Sequence, residues 1–206
     1  MQITAIVDGA LAVIFGADAL WACIGLFLGN IFGGAVMALH SAQGPRLGLP
    51  QMISSRAQFG VYGAILPLIL AVIMYLGFAT TGAILSGQAI NGIIGASTPA
   101  VGIIIFGILT AVLALLGYKY IHTMGRVATV SGLIGFVYLT VVAFQQFPVA
   151  SLFGVKPFEL TTFLLAISLS AGWQLAYGPY VADYSRYLPR SVSQSSAFWH
   201  TFLGTV

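Results

Sequence analysis

Five stretches of this chain run for eighteen or more residues without a lysine, arginine, aspartate or glutamate: Ala19–Leu39, Val61–Ile90, Pro99–Tyr118, Val127–Phe144 and Leu160–Ala182. A helix on the surface of a soluble domain keeps a polar face, and these runs have none. A helix of about 20 residues, rising 1.5 Å per residue, crosses the roughly 30 Å hydrocarbon core of a bilayer. With only seven basic and four acidic residues among 206, the chain reads as an all-α polytopic membrane protein whose solvent is the lipid bilayer.

The two ends read differently. Gln2 to Gly16 is too short to cross alone and carries Asp8, while Ala197 to Val206 has the composition of the opening of a further span. The start lacks the basic n-region of a secretory signal and places an aspartate where the apolar centre would be. The expectation is a single transmembrane fragment with a partial first helix, helices two to six and the start of a seventh. Cys23, inside an apolar run with no second cysteine, reads as a small packed residue.

Charge placement gives the sidedness. Arg46 and Arg56 follow the second helix, Lys119 and Arg126 lie between the fourth and fifth, and Arg186 and Arg190 follow the sixth. Six of the seven basic residues therefore share one side and only Lys156 falls opposite. Basic residues near span ends are retained in the cytoplasm. Segments 40–60, 118–126 and 185–196 are thus expected as cytoplasmic loops of a protein in the plasma (inner) membrane, with Arg46 and Arg56 as topological anchors. A net charge of +3 confined to such loops does not suggest a nucleic-acid partner.

Two helices carry patterned residues. In the second, Gly25, Gly29 and Gly33 recur every four residues and line one face, which lets another helix approach closely. In the sixth, Ser168, Ser170, Gly172, Trp173, Gln174, Tyr177 and Pro179 cluster near mid-membrane. Serines, glycine and proline together weaken the helical ladder, so a broken helix of the kind that exposes backbone groups to a substrate is expected there. Trp173 supplies an aromatic plane and Gln174 an amide that both donates and accepts, which suits a flat heterocycle; the same pair could serve packing alone. Phe78, Thr80 and Thr81 on the third helix and Gln2 at the start lie at similar depth.

A carboxylate inside a membrane is costly and is a functional candidate by default. Asp8 is a candidate for proton or cation coupling, with helix packing or water exposure as the alternative. Asp183, three residues before Arg186, can pair locally and is a candidate anchor or gate. His40, His122 and His200 lack ligand-like spacing, so no metal site is expected.

The segments "ALHSAQGPRLGLPQMISSRAQFG", "LSGQAIN" and "AGWQLAYGPYVADYSRYLP" resemble the purine-cytosine permease branch of the nucleobase:cation symporter-1 family over nearly the whole chain. That resemblance implies a LeuT-type fold of two inverted five-helix repeats, the first at about 1–147 and the second opening at about 159–206. It implies symport of a nucleobase such as cytosine or a purine with a proton or sodium ion by alternating access, without an organic cofactor. The ring would lie between Trp173 and Phe78, with Gln2, and with it Gln174, reading its polar edge. Phenylalanine at 78 and glycine at 82, where hydantoin-type relatives carry tryptophan and glutamine, favour cytosine or a purine over a hydantoin; allantoin, hydantoin or a thiamine-like ring remain alternative cargoes.

Two other classes fit less well. An intramembrane enzyme would need Asp8 with Asp183, or His40 with Ser41, in mutual hydrogen-bond reach. Asp8 and Asp183 fall in opposite halves of a core about 30 Å thick. A channel would need a ring of filter residues, and no such pattern is present.

Overall fold

The computed structural model describes residues 5–206, and among them every regular element is a helix. In chain order these are α1 Ala5–Ile14, α2 Ala19–Ser41, α3 Gly44–Leu47, α4 Gln51–Ser54, α5 Arg56–Gly63, α6 Ile65–Ile94, α7 Pro99–Leu116, α8 Tyr118–Gln146, α9 Val149–Leu152, α10 Leu160–Ser185 and α11 Gln194–Thr205. Five are long and apolar enough to cross a bilayer: α2, continued to Leu47, with α6, α7, α8 and α10. The all-α polytopic membrane fold follows from them. The chain forms two compact units, residues 5–71 with 141–206 and residues 72–140.

The larger unit is organised by the seam between α2 and α10. A Cβ built at Gly25 would stand 2.8 Å from Cβ of Ala166. At Gly33 it would stand 2.6 Å from Cβ of Gln174, and at Gly29 it would overlap the Ile167 carbonyl oxygen. The glycine stripe expected from the sequence is therefore a packing face, and its partner is α10. The partner presents small residues at matching spacing, with Ala166 fully buried and Ser170, Gln174, Gly178 and Ala182 continuing the same face.

This seam accounts for a departure from expectation. α10 is one continuous helix through Ser168–Pro179, with no break. Ser170 and Ala171 meet Gly29, so the small residues serve close approach rather than unwinding. Pro179 lies inside this helix, where it lacks the N–H that would bond one turn back and its ring crowds the carbonyl there.

Two expected loops are also helical. The 118–126 stretch is the beginning of α8, and at 29 residues this helix is about 43 Å long, more than the hydrocarbon core requires. Lys119, His122 and Arg126 all lie within the N-terminal part of this helix and not in a loop before it. A single residue, Gly117 at φ +85°, joins α7 to α8, and that backbone angle favours glycine. The 40–60 stretch holds α3, α4 and the first turn of α5.

In the smaller unit, α6 and α7 form a hairpin closed by the "LSGQAIN" segment. A Cβ at Gly87 would lie 2.6 Å from the Ile103 side chain. Asn91 accepts from Gly102 N–H at 2.9 Å and donates to the Pro99 carbonyl at 3.1 Å, which ties the start of α7 to α6. Thr80 and Thr81 donate to the carbonyls of Leu76 and Gly77 within their own helix.

At the N-terminal mouth of α2, just outside the spanning segment, the Asp18 side chain collects backbone N–H groups from two parts of the larger unit. Its carboxylate accepts from Leu20 N–H at 2.9 Å, Gly154 at 3.0 Å, Val155 at 2.7 Å and Lys156 at 3.0 Å. Gly154 takes φ +73°, so the three successive N–H groups converge on one anion. The Lys156 and Gly154 N–H groups, with smaller shares from Leu20 and Val155, outweigh burial and hold the Asp18 carboxyl at about 2, against an ordinary 3.8. A lowered folded-state pKa means stabilisation that is complete above about pH 4 and lost as pH falls toward 2. Asp18→Asn should therefore melt at a lower temperature than the unaltered protein at pH 7. The difference should stay constant down to about pH 4 and close by about pH 2; a constant difference down to pH 2 would contradict the assignment.

Candidate functional site

The sixth-helix candidates lie where the α2–α10 seam meets α11. Gln174 is 7% exposed, and both ends of its amide are bonded. Its Nε2 donates to Asn30 Oδ1 on α2 at 2.9 Å and to the Thr205 carbonyl on α11 at 3.2 Å. Thr205 Oγ1 donates back to Gln174 Oε1 at 2.8 Å. A main-chain carbonyl can only accept, so the nitrogen of the Gln174 amide is fixed on that side. Trp173, the preceding residue, is turned about 100° around the helix and is half-buried.

Phe78 is half-buried in the middle of α6 and belongs to the smaller unit, whereas Trp173 and Gln174 belong to the larger. Gln2 lies outside the described residues. Asp8 is half-buried on α1.

Asp183 is engaged otherwise than expected. Its Oδ1 accepts from the backbone N–H of Gln51 at 2.8 Å, holding the first residue of α4 against α10. Arg186 does not answer that carboxylate. Its Nε donates to the Asp183 main-chain carbonyl at 3.2 Å, and its guanidinium lies over the Tyr187 ring at 4.7 Å. The short helices of 40–60 thus form a docked cap at the end of α10. Pro45 is fully buried, a Cβ at Gly44 would overlap Ser185 Oγ, and Ser185 Oγ donates to the Ser41 carbonyl at 2.7 Å. Arg46 Nη1 reaches Gln194 Oε1 at 3.3 Å, so the anchor expected from charge also touches the start of α11.

Below Thr205 a cavity of about 690 Å³ opens between α2, α10 and α11, walled by Met37, Tyr177, Tyr184 and His200 among others. Ser41 Oγ and Thr201 Oγ1, 2.7 Å apart, close one side. The volume is in the range of small-molecule sites. Aromatic faces beside hydroxyls suit a ring with a polar edge.

Two residues escaped the sequence criteria. Asn30 is the only amide in the Ala19–Leu39 run and follows Gly29 directly, a signal that was available. Asp18 looked like an ordinary boundary carboxylate because, apart from Leu20 N–H, its partners are backbone groups more than 130 residues away.

The family described as permeases for cytosine/purines, uracil, thiamine and allantoin matches the chain over residues 1–206. Among curated proteins, the Bacillus subtilis protein YxlA, assigned by its name to the purine-cytosine permeases, is 41% identical over 208 aligned residues, covering 100% of this chain and 45% of that protein. The purine-cytosine permease fcyB of Emericella nidulans is 29% identical, covering 86% of this chain and 35% of its own length. The vitamin B6 transporter TPN1 of Saccharomyces cerevisiae is 25% identical, covering 84% and 31%. The chain spans less than half the length of these relatives. No solved structure matches it significantly.

Proposed function

The chain belongs to the family of permeases for cytosine and purines, uracil, thiamine and allantoin, and from that premise we propose that the protein carries a nucleobase, cytosine or a purine, across the plasma membrane together with a proton or a sodium ion. The observation that carries the proposal is the family match along all 206 residues. It is supported by a half-buried tryptophan on the helix that the seam holds most tightly. In this account the ring stacks on Trp173, Phe78 covers its other face and Gln2 bonds its edge. Gln174 contributes through its fixed amide.

The same proposal places helices one to five, at about 1–147, in a first LeuT-type repeat, and takes α10 and α11 as the opening of its inverted counterpart. Asp8, on the helix equivalent to α10 in the first repeat, is the candidate for coupling. Asp183 acts as an anchor whose hold on Gln51 keeps the cap against α10, and the basic ends of the helices face the cytoplasm.

Uptake by the full-length protein in proteoliposomes tests this. Labelled cytosine should accumulate only under a proton or sodium gradient, and unlabelled adenine or hypoxanthine should compete better than allantoin. Competition by a pyridine such as vitamin B6 in preference to nucleobases would move the cargo to another planar heterocycle. Uptake indifferent to either gradient would overturn the symport.

A further inference from the structure

The Gln174 amide is held by two residues to which neither composition nor family resemblance gives a role. Asn30 sits beside Gly29, where α2 and α10 approach most closely, so its short side chain reaches across the seam. Thr205 meets the same amide from α11. Three helices converge on one side chain that is 7% exposed. An amide in that position cannot turn to water when a partner is removed; it must find another group or take the helix with it. Trp173 is the adjacent residue on the same continuous helix, so a rotation of α10 that re-satisfies Gln174 moves the indole too.

We propose that Asn30 and Thr205 are positioning residues of the substrate site: by fixing the Gln174 amide they set the rotation of α10 that presents Trp173 to the ring. This rests on the assignment of the ring site to Trp173. It also assigns Gln174 a support role, since its acceptor and its amide hydrogens already have partners within the bundle.

The test uses the full-length protein with every tryptophan except Trp173 replaced by phenylalanine, so that emission reports Trp173 alone. Asn30→Ala and Thr205→Val each remove one partner, whereas Thr205→Ser keeps the hydroxyl. Polar contacts between membrane helices are worth up to about 1.7 kcal/mol, so Asn30→Ala and Thr205→Val should weaken cytosine binding by about three- to twentyfold. Both should also shift the Trp173 emission maximum, and Thr205→Ser should restore affinity and emission. Unchanged emission and affinity in folded Asn30→Ala and Thr205→Val would overturn the proposal, as would a lower melting temperature with affinity intact. Trp173→Ala separates the two levels. If it weakens binding while Asn30→Ala leaves affinity unchanged, only the positioning role falls; if it leaves binding intact, the ring site falls and the positioning role with it.

Discussion

Gly29→Val should prevent the larger unit from assembling. At this position even the first added carbon overlaps the Ile167 carbonyl and comes within 2.9 Å of Ser170 Cβ and 3.0 Å of Ala171 N. Two of these three obstacles are backbone, which cannot rotate aside as a flexible side chain would. Overpacking by small increments costs about 1–3 kcal/mol in well-packed interiors, and valine adds two further methyl carbons to that first clash. In lipid there is little hydrophobic drive to press the helices back together, because the surrounding tails are as apolar as the helix faces. The expected result is loss of monodisperse protein on size-exclusion chromatography in detergent, with Gly29→Ala intermediate. Gly107→Ala on α7 is the control: a Cβ there meets nothing within 4 Å, and alanine favours the helix by about 1 kcal/mol. Equal behaviour of Gly29→Val and Gly107→Ala would remove the seam from its central place.

The seam was half legible in the sequence. A glycine every fourth residue announces a close-packed face because the period of the helix is fixed, but it does not name the partner. That partner came from α10, whose serines, glycine and proline resemble the composition of a broken helix. The two alternatives differ only in whether a second helix lies against those small residues, which is a long-range fact. The same limit applies to Asp18. Its carboxylate is an ordinary N-cap by local pattern, and its three further partners come from 154–156.

Span number and order were legible because lipid imposes them: every backbone group must be bonded within its own helix and every span must be apolar for about 20 residues. The starts of α2, α7 and α10 at Ala19, Pro99 and Leu160 were legible too, but the start of α8 was not. α8 begins at Tyr118, nine residues before the apolar run, because lysine and arginine are good helix formers. The 40–60 stretch misled for a related reason. Its glycines and prolines break a long helix but permit short ones, with Pro45 at the start of α3 and Gly48 closing it at φ +62°.

Trp173 is the proposed surface for the ring, and its removal is the second large effect expected. Stacking of a base on an aromatic side chain is worth about 1–3 kcal/mol, so Trp173→Ala should weaken cytosine binding by about five- to 150-fold. Trp21 provides the comparison within the same unit. It packs edge-on against Phe158 and Phe163, at centroid distances of 4.8 and 6.3 Å, close to the Asp18 clip. Trp21→Ala should therefore lower the melting temperature while leaving affinity within about twofold, because the loss falls on aromatic packing and not on the ring site. Phe78→Ala should weaken binding in the same direction as Trp173→Ala. The decisive measurement is equilibrium binding of cytosine to purified full-length protein carrying Trp173→Ala or Trp21→Ala. Affinity lost selectively in the first is the predicted result; equal affinities in the two variants would contradict it.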